Sequence, residues 1–347
     1  MNLEDINVID SQNMRGFLTT FPDQWREAME ITADLSLTID KERVANICFA
    51  GMGGSAIGPD LIRSFCYRDG LYPMEVIRHY EIPQWVNENT LFIACSFSGN
   101  TEETLAALST ARERGAQAIA LTGGGELMVN AAKEEIDYIK VPGGMPPRAA
   151  LGYSFVALYR ICQHLELVEE TDGALKDTAR FLAEQNDLLA NPTDNEALNL
   201  AEEILDTLPI IYSDATMMQG VNLRWQNQFA ENAKTLSYGN SMPEMTHNEI
   251  VGWERIVHLT GRLSVILLID KEDDPRVQRR MEIVEELIED QAASLHVLKT
   301  RGQTRLTRMF SLIQLADWTS FYLAMLSNVD PTPITKIELL KSKLAEA

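Results

Sequence analysis

The chain has 347 residues and carries 30 Lys+Arg against 51 Asp+Glu, a formal net charge of −21 with histidines neutral. Nucleic acid and anionic membrane surfaces are recognised through clustered Lys and Arg, and no basic run occurs, so both are excluded as expected partners. Hydrophobic residues at 45% and charged residues at 23% describe a folded globular chain, and the length suits two domains.

Cys48, Cys66, Cys95 and Cys162 form no CxxC pair and have no zinc spacing. Each lies in an apolar run, which reads as buried free thiols in a reducing compartment. The start, Met1-Asn2-Leu3-Glu4-Asp5, lacks the basic and apolar regions of a signal peptide, and no run approaches the ~18 apolar residues of a membrane span. The expectation is a cytoplasmic protein with no metal site.

A helical, amphipathic segment runs to about residue 36. Short apolar runs at 45–50, 74–79, 91–97, 118–121 and 138–141 then alternate with helical stretches at 56–66, 101–115 and 126–135, the pattern of a parallel sheet covered on both faces. Pro142-Gly143-Gly144-Met145-Pro146-Pro147 interrupts it, and a helix follows over 151–167. The second half reads as helices at 172–189 and 196–205, a strand at 209–212, a helix at 218–234 and a strand at 263–269. An acidic helix at 274–290, a strand at 295–298 and helices at 304–326 and 334–344 complete it. Two units follow, 1–168 and 169–347, with Asn191-Pro192-Thr193-Asp194 marking a turn near the boundary.

The first strand ends in Gly51-Met52-Gly53-Gly54-Ser55-Ala56, where glycines let the backbone approach an anion at the N-terminus of the next helix. Gly51-x-Gly53-x-x-Ala56 also fits the dinucleotide fingerprint. That reading wants an acidic residue ending the second strand, which instead closes Arg78-His79-Tyr80, so a nicotinamide site is disfavoured. The third strand ends in Ser96-Phe97-Ser98-Gly99-Asn100-Thr101-Glu102-Glu103-Thr104. Thr101 as a simple N-cap would account for part of this, but not for Ser96 and Ser98 upstream. Hydroxyls and backbone N–H groups at a helix N-terminus make a neutral phosphate cradle, which suits an acidic protein with a phosphorylated ligand.

In the second half, Glu231 lies on a helical stretch and by itself reads as a solvated face. His247, in His247-Asn248-Glu249, reads as a structural histidine or a ligand; the H-x-E of zinc deaminases lacks its PCxxC partner. His79, His164, His258 and His296 read as ordinary core or surface histidines, Trp225 and Trp253 as packing residues, and Lys341 as a solvated charge near a helix end.

Gly-Gly-Ser after the first strand, Ser-x-Ser-Gly-x-Thr-x-Glu-Thr after the third, and Pro146-Pro147-Arg148-Ala149-Ala150-Leu151-Gly152-Tyr153 together resemble the sugar isomerase (SIS) domain. More specifically, the chain resembles the bifunctional phosphoglucose/phosphomannose isomerases of archaea and bacteria, from about Asn46 to Leu344. The resemblance implies an α/β fold of two doubly wound αβα sandwich domains with mainly five-stranded parallel sheets. It implies a cofactor-independent aldose–ketose isomerase that interconverts glucose 6-phosphate or mannose 6-phosphate with fructose 6-phosphate through a cis-enediolate. By the same resemblance Gly53, Gly54, Ser55, Ser96, Ser98, Thr101 and Thr104 hold the phosphate and nearby sugar oxygens. Glu231 is the base, Arg148 stabilises the enediolate, and His247 and Lys341 open the ring, His247 reaching the neighbouring subunit's site in a homodimer. Phe97 stands where the wider superfamily often has lysine.

The chemistry matches these residue types. Moving a proton between C1 and C2 needs one carboxylate over both carbons, whose pKa a partly dry pocket raises toward neutrality, and a fixed cation for the developing oxyanion. Thr332 and Thr335 are both candidates for the sugar's neighbourhood, and Pro331 and Pro333 set the entry of the last helix. A non-catalytic SIS sensor would keep the hydroxyl loop and lose base and ring opener. A hexosamine synthase would need a glutaminase module that opens on cysteine, where this chain has Asn2.

Overall fold

The structure is a computed structural model and describes residues 3–168, 172–255, 259 and 261–346; His258 lies outside them. Three N-terminal helices, α1 (Leu3–Ile9), α2 (Met14–Thr19) and α3 (Phe21–Ile31), precede the first sheet. The alternation that follows is β1 (Asn46–Ala50), α4 (Ile57–Phe65), β2 (Met74–Ile77), β3 (Thr90–Ser96), α5 (Glu102–Glu113), β4 (Gln117–Thr122), α6 (Gly125–Lys133) and β5 (Asp137–Lys140). All pairings are parallel, in the order β2-β1-β3-β4-β5. The central strand β3 is buried at every position, which is why its sequence is a continuous apolar run rather than an alternation.

After α7 (Leu151–His164), the second half contains α8 (Asp172–Leu189), α9 (Glu196–Glu203), β6 (Leu208–Asp214), α10 (Met217–Glu231), β7 (Tyr238–Met242), β8 (Leu263–Ile269), α11 (Pro275–Ile288), β9 (Ser294–Lys299), α12 (Arg305–Leu326) and α13 (Thr335–Ala345). Its sheet is also parallel, in the order β7-β6-β8-β9, with four strands among the described residues, one more than the three read from the sequence and one fewer than the five the resemblance mainly implies. The edge strand β7, Tyr-Gly-Asn-Ser-Met, has little strand propensity and no apolar run. It is held from outside, by its ladder to β6 and by Asn222 of α10, whose amide donates to the Ile211 and Asn240 carbonyls at 3.0 Å each.

Between the sheets lies a shared layer of helices. Trp25 of α3 is fully buried, stacks on Phe155 of α7 with ring centroids 5.7 Å apart and meets Phe310 of α12 edge-on at 4.7 Å. One apolar core therefore runs from Ile6 to Met325 through both halves, while smaller clusters cover the outer face of each sheet. α12 is buried from Leu306 to Met325, so it has no solvent-facing stripe, and its polar residues Arg308, Gln314 and Asp317 are bonded inside the protein. Near its start α10 crosses close to α4, where Gly220 would place a Cβ 3.0 Å from the Asp60 carbonyl. That approach directs the far end of α10, which carries Glu231, toward the loops of the first sheet. All four cysteines are buried and free.

Candidate active site

The first sheet reverses its strand order between β1 and β3, and the crevice outside their C-terminal ends is where ligands bind in such sheets. Both predicted loops open there. Gly53–Ser55 forms a tight turn ahead of α4, and the Phe97 backbone N–H donates to Ser55 Oγ at 3.0 Å, tying it to the hydroxyl loop. Thr101 is the N-cap of α5, but its side chain makes no capping bond; its Oγ1 pairs with Ser96 Oγ at 2.8 Å. The first N–H groups of α5 thus lack side-chain caps and keep their attraction for an anion. Ser55 and Ser98 each accept a backbone N–H and leave a hydroxyl proton to donate, as does one member of the Ser96–Thr101 pair. Ser98 is exposed at the loop tip, whereas Thr104 is buried beneath it with an Oγ1 that has no partner among the described residues.

Gly54 admits a neighbouring turn: a Cβ there would lie 2.6 Å from the Arg148 amide nitrogen, so the glycine lets the Pro147–Ala149 turn approach. That turn delivers Arg148, only 2% exposed despite its charge, into the cleft between the halves. Its Nε donates to Asn232 Oδ1 at 2.7 Å, its Nη2 to the Pro331 and Thr332 carbonyls at 2.7 and 2.9 Å, and its Nη1 to Glu231 Oε2 at 3.3 Å. A guanidinium has five N–H donors; these bonds occupy four and leave one on Nη1, beside the Glu231 carboxylate. Burial lowers the Arg148 pKa and Glu231 opposes that shift.

The helix expected to reach residue 234 ends at Glu231, whose carboxylate sits at the rim with about a fifth of its side chain exposed. Asn232 is held from behind, its amide donating to Ser320 Oγ of α12 at 3.0 Å. Arg224, one side of α10 further back, donates to the Arg148 carbonyl at 2.8 Å and forms a two-point ion pair with buried Asp317. Lys234, Asn232 and Arg224 were not singled out from the sequence, because their spacing carries no motif and their partners lie far along the chain. Of the two C-terminal threonines, Thr332 is buried against Arg148, while Thr335 opens the exposed helix α13.

His247 and Lys341 are exposed, and among the described residues no hydrogen bond or ion pair links either to Glu231 or Arg148. The segment carrying His247 is nonetheless pinned: Glu249 accepts from Tyr212 Oη and from the Asn240 amide, and Trp253 Nε1 donates to Tyr212 Oη at 3.1 Å. Trp225 is buried against Phe229, as expected of a packing residue. A cavity of about 600 Å³ between α4 and the start of α12 holds Arg305 and Arg308, but Asp69 pairs with the first and Asp270 and Glu272 with the second, leaving no net attraction for an anion.

Residues 193–344 match the family described as the bacterial phospho-glucose isomerase C-terminal SIS domain, and residues 75–159 match the SIS domain. The bifunctional phosphoglucose/phosphomannose isomerase of Caldicellulosiruptor bescii is 41% identical over 94% of this chain and 97% of its own length. The chain belongs to the bifunctional phosphoglucose/phosphomannose isomerase family. The member from Aquifex aeolicus is 33% identical over 86% of this chain and 90% of its own. The C-terminal domain of glucosamine-fructose-6-phosphate aminotransferase from Francisella tularensis superposes with a TM-score of 0.71 at 13% identity, covering 92% of this chain and 97% of that one, a likeness of fold. The protein is thus a sugar-phosphate aldose–ketose isomerase built from two SIS-type αβα units. In this isomerase the Glu231 carboxylate and the Arg148 guanidinium meet at 3.3 Å, and the Gly53–Ser55 turn lies against the turn that carries Arg148.

Proposed function

We propose that the chain interconverts both glucose 6-phosphate and mannose 6-phosphate with fructose 6-phosphate, at the cleft where Arg148 and Glu231 meet. The observation that carries this reading is the single free donor left on Arg148 beside a rim carboxylate. Ser55, Ser96, Ser98 and Thr101, with the backbone of Gly53 and Gly54 and the start of α5, hold the phosphate; Thr104 supports that loop from below. Glu231 takes the proton from C2 of the open aldose and returns it to C1, with the enediolate oxygens facing Arg148. A single base above both carbons serves either epimer, provided the C2–C3 bond can rotate in the cleft.

Ring opening falls to His247 and Lys341, with His247 supplied by a second copy in a homodimer. Support comes from their exposure, and from α13, which holds Ile337, Leu339, Leu340 and Leu344 40–59% exposed, an apolar face that water disfavours. The division into units at 168/169 follows the sheets, whose strands lie wholly on either side. Free buried thiols and the phosphosugar substrate favour the cytoplasm; among the described residues no helix is long and apolar enough to cross a membrane.

The test supplies fructose 6-phosphate and follows both aldose phosphates through separate coupling enzymes. Turnover to both is expected; turnover to glucose 6-phosphate alone would overturn the dual specificity, and no turnover would favour a sensor. The shared site makes a second prediction. Glu231→Gln and His247→Ala proteins, each inactive, are expected on mixing and subunit exchange to recover about a quarter of the parent rate. Hybrid dimers contain one site with both residues intact. Absence of recovery, with exchange verified by mass spectrometry, would place His247 in its own subunit's site.

A further inference from the structure

We propose that Lys234 is a positioning residue for isomerisation, a clamp that ties the end of α10 to the loop at 330–332 so that Glu231 and Arg148 keep their mutual geometry. The inference rests on the assignment of Glu231 and Arg148 as the reacting groups.

Lys234 stands three residues past the end of α10 with φ 55°, in the left-handed region that a lysine seldom adopts. The reversed backbone turns its side chain back over the helix end. Nζ donates to the Glu231 carbonyl and, at 3.0 Å, to the Pro331 carbonyl. The first bond alone would be ordinary C-terminal capping, since the last carbonyls of a helix have no partners within it. The second reaches 97 residues along the chain and has no such explanation. Pro331 is also the residue whose carbonyl accepts from Arg148 Nη2 at 2.7 Å, so two cations share one oxygen. Losing the lysine frees that carbonyl from one side and leaves Arg148 as its donor among the described residues.

The charged groups facing the ammonium are Arg148 from the 147–149 turn, Glu231 from α10 and Asp330 from the loop. Partial burial, with Arg148 adding to it, pulls the Lys234 pKa down to about 8 against the opposing pull of Asp330 and Glu231. The clamp is therefore charged at neutral pH and loses its charge just above it. The sign is that of an alkaline limb: activity falls as pH rises through about 8.

The experiment compares parent, Lys234→Arg, Lys234→Met and Glu231→Gln across pH 6–10, with fructose 6-phosphate as substrate and circular dichroism confirming folding. Lys234→Met is expected to lower kcat at pH 7 about ten- to hundredfold with KM within threefold, and to lose the limb. Lys234→Arg, whose guanidinium stays charged, is expected to retain kcat within about fivefold and to move the limb above pH 9. Should Lys234→Met fail to fold, the limb of the Arg protein decides alone. A Met protein within twofold of the parent, or a limb that neither replacement moves, would overturn the clamp. If Glu231→Gln remains active, the site assignment has failed and the clamp with it; if Glu231→Gln is inactive while Lys234→Met matches the parent, the clamp alone is wrong.

Discussion

Glu231→Gln is expected to lower kcat by about 10²–10⁴-fold, the contribution of a positioned general base, equivalent to roughly 3–5 kcal/mol of transition-state stabilisation. The replacement is nearly isosteric at a rim position, and the carboxylate's ion pair to Arg148 is long at 3.3 Å, so folding should survive. KM should change little if, as proposed, the phosphate is held on the hydroxyls and backbone at the end of β3. A second reading separates the base from mere crowding. In D2O the parent should wash deuterium into the product at the transferred position, whereas Glu231→Gln should show exchange reduced by the same factor as turnover. Activity within tenfold of the parent, a loss below ~1.4 kcal/mol, would remove Glu231 from the role of base.

Arg224→Met is expected to lower global stability by about 3–5 kcal/mol, because it leaves a buried carboxylate without its cation. Arg224 and Asp317 have side chains 2% and 5% exposed and meet at 2.8 Å through two parallel N–H donors. After the replacement, Asp317 keeps only the Gln228 amide, at 2.8 Å, as a side-chain donor among the described residues. Urea unfolding at pH 7 should show the loss as a lowered midpoint with the slope unchanged. Its pH dependence follows from Asp317, whose pKa burial already raises against the pull of Arg224. Without Arg224 the pKa rises further; a carboxyl raised in the folded state contributes stability that is present at acid pH and lost as pH rises through its folded value. The deficit of Arg224→Met should therefore narrow as pH falls toward the ordinary carboxylate range. Adding Asp317→Leu should recover part of the loss, since apolar packing can replace a buried ion pair. An Arg224→Met protein as stable as the parent at pH 7 would contradict the accounting. The same arginine supports the Arg148 carbonyl at 2.8 Å, so residual activity should fall even where the variant is folded.

The glycine and hydroxyl loops and most of the strands were legible because their signals are local. A buried parallel strand must be a continuous apolar run, and β1, β3, β6 and β8 are such runs. A loop that receives an anion at a helix start must place glycines and hydroxyls within a few residues, as Gly53–Ser55 and the segment from Ser96 to Thr101 do. The strand β7 was missed for the complementary reason: Gly239 and Asn240 answer to Asn222 and Gln226 of α10 and to the ladder with β6, not to any pattern of their own. The end of α10 was misplaced by three residues because no proline or glycine marks it. The chain turns there at Lys234, toward a loop nearly a hundred residues away.

Sequence by itself determined that this is an acidic α/β chain with glycine- and hydroxyl-rich loops at two strand ends, since those properties depend on residue types at short spacing. Family resemblance in the same sequence pointed to Glu231, Arg148, His247 and Lys341 as a set. Only the tertiary structure decided how the first two are held. Arg148 and Glu231 are separated by 83 residues, and Arg148 and Pro331 by 183. A buried guanidinium must satisfy its donors wherever the fold brings carbonyls, and the helix layer shared by the two sheets brings them from α10 and from the loop before α13. Which N–H of Arg148 faces Glu231, which threonine lies against the guanidinium and which lysine bonds the Pro331 carbonyl are consequences of that packing.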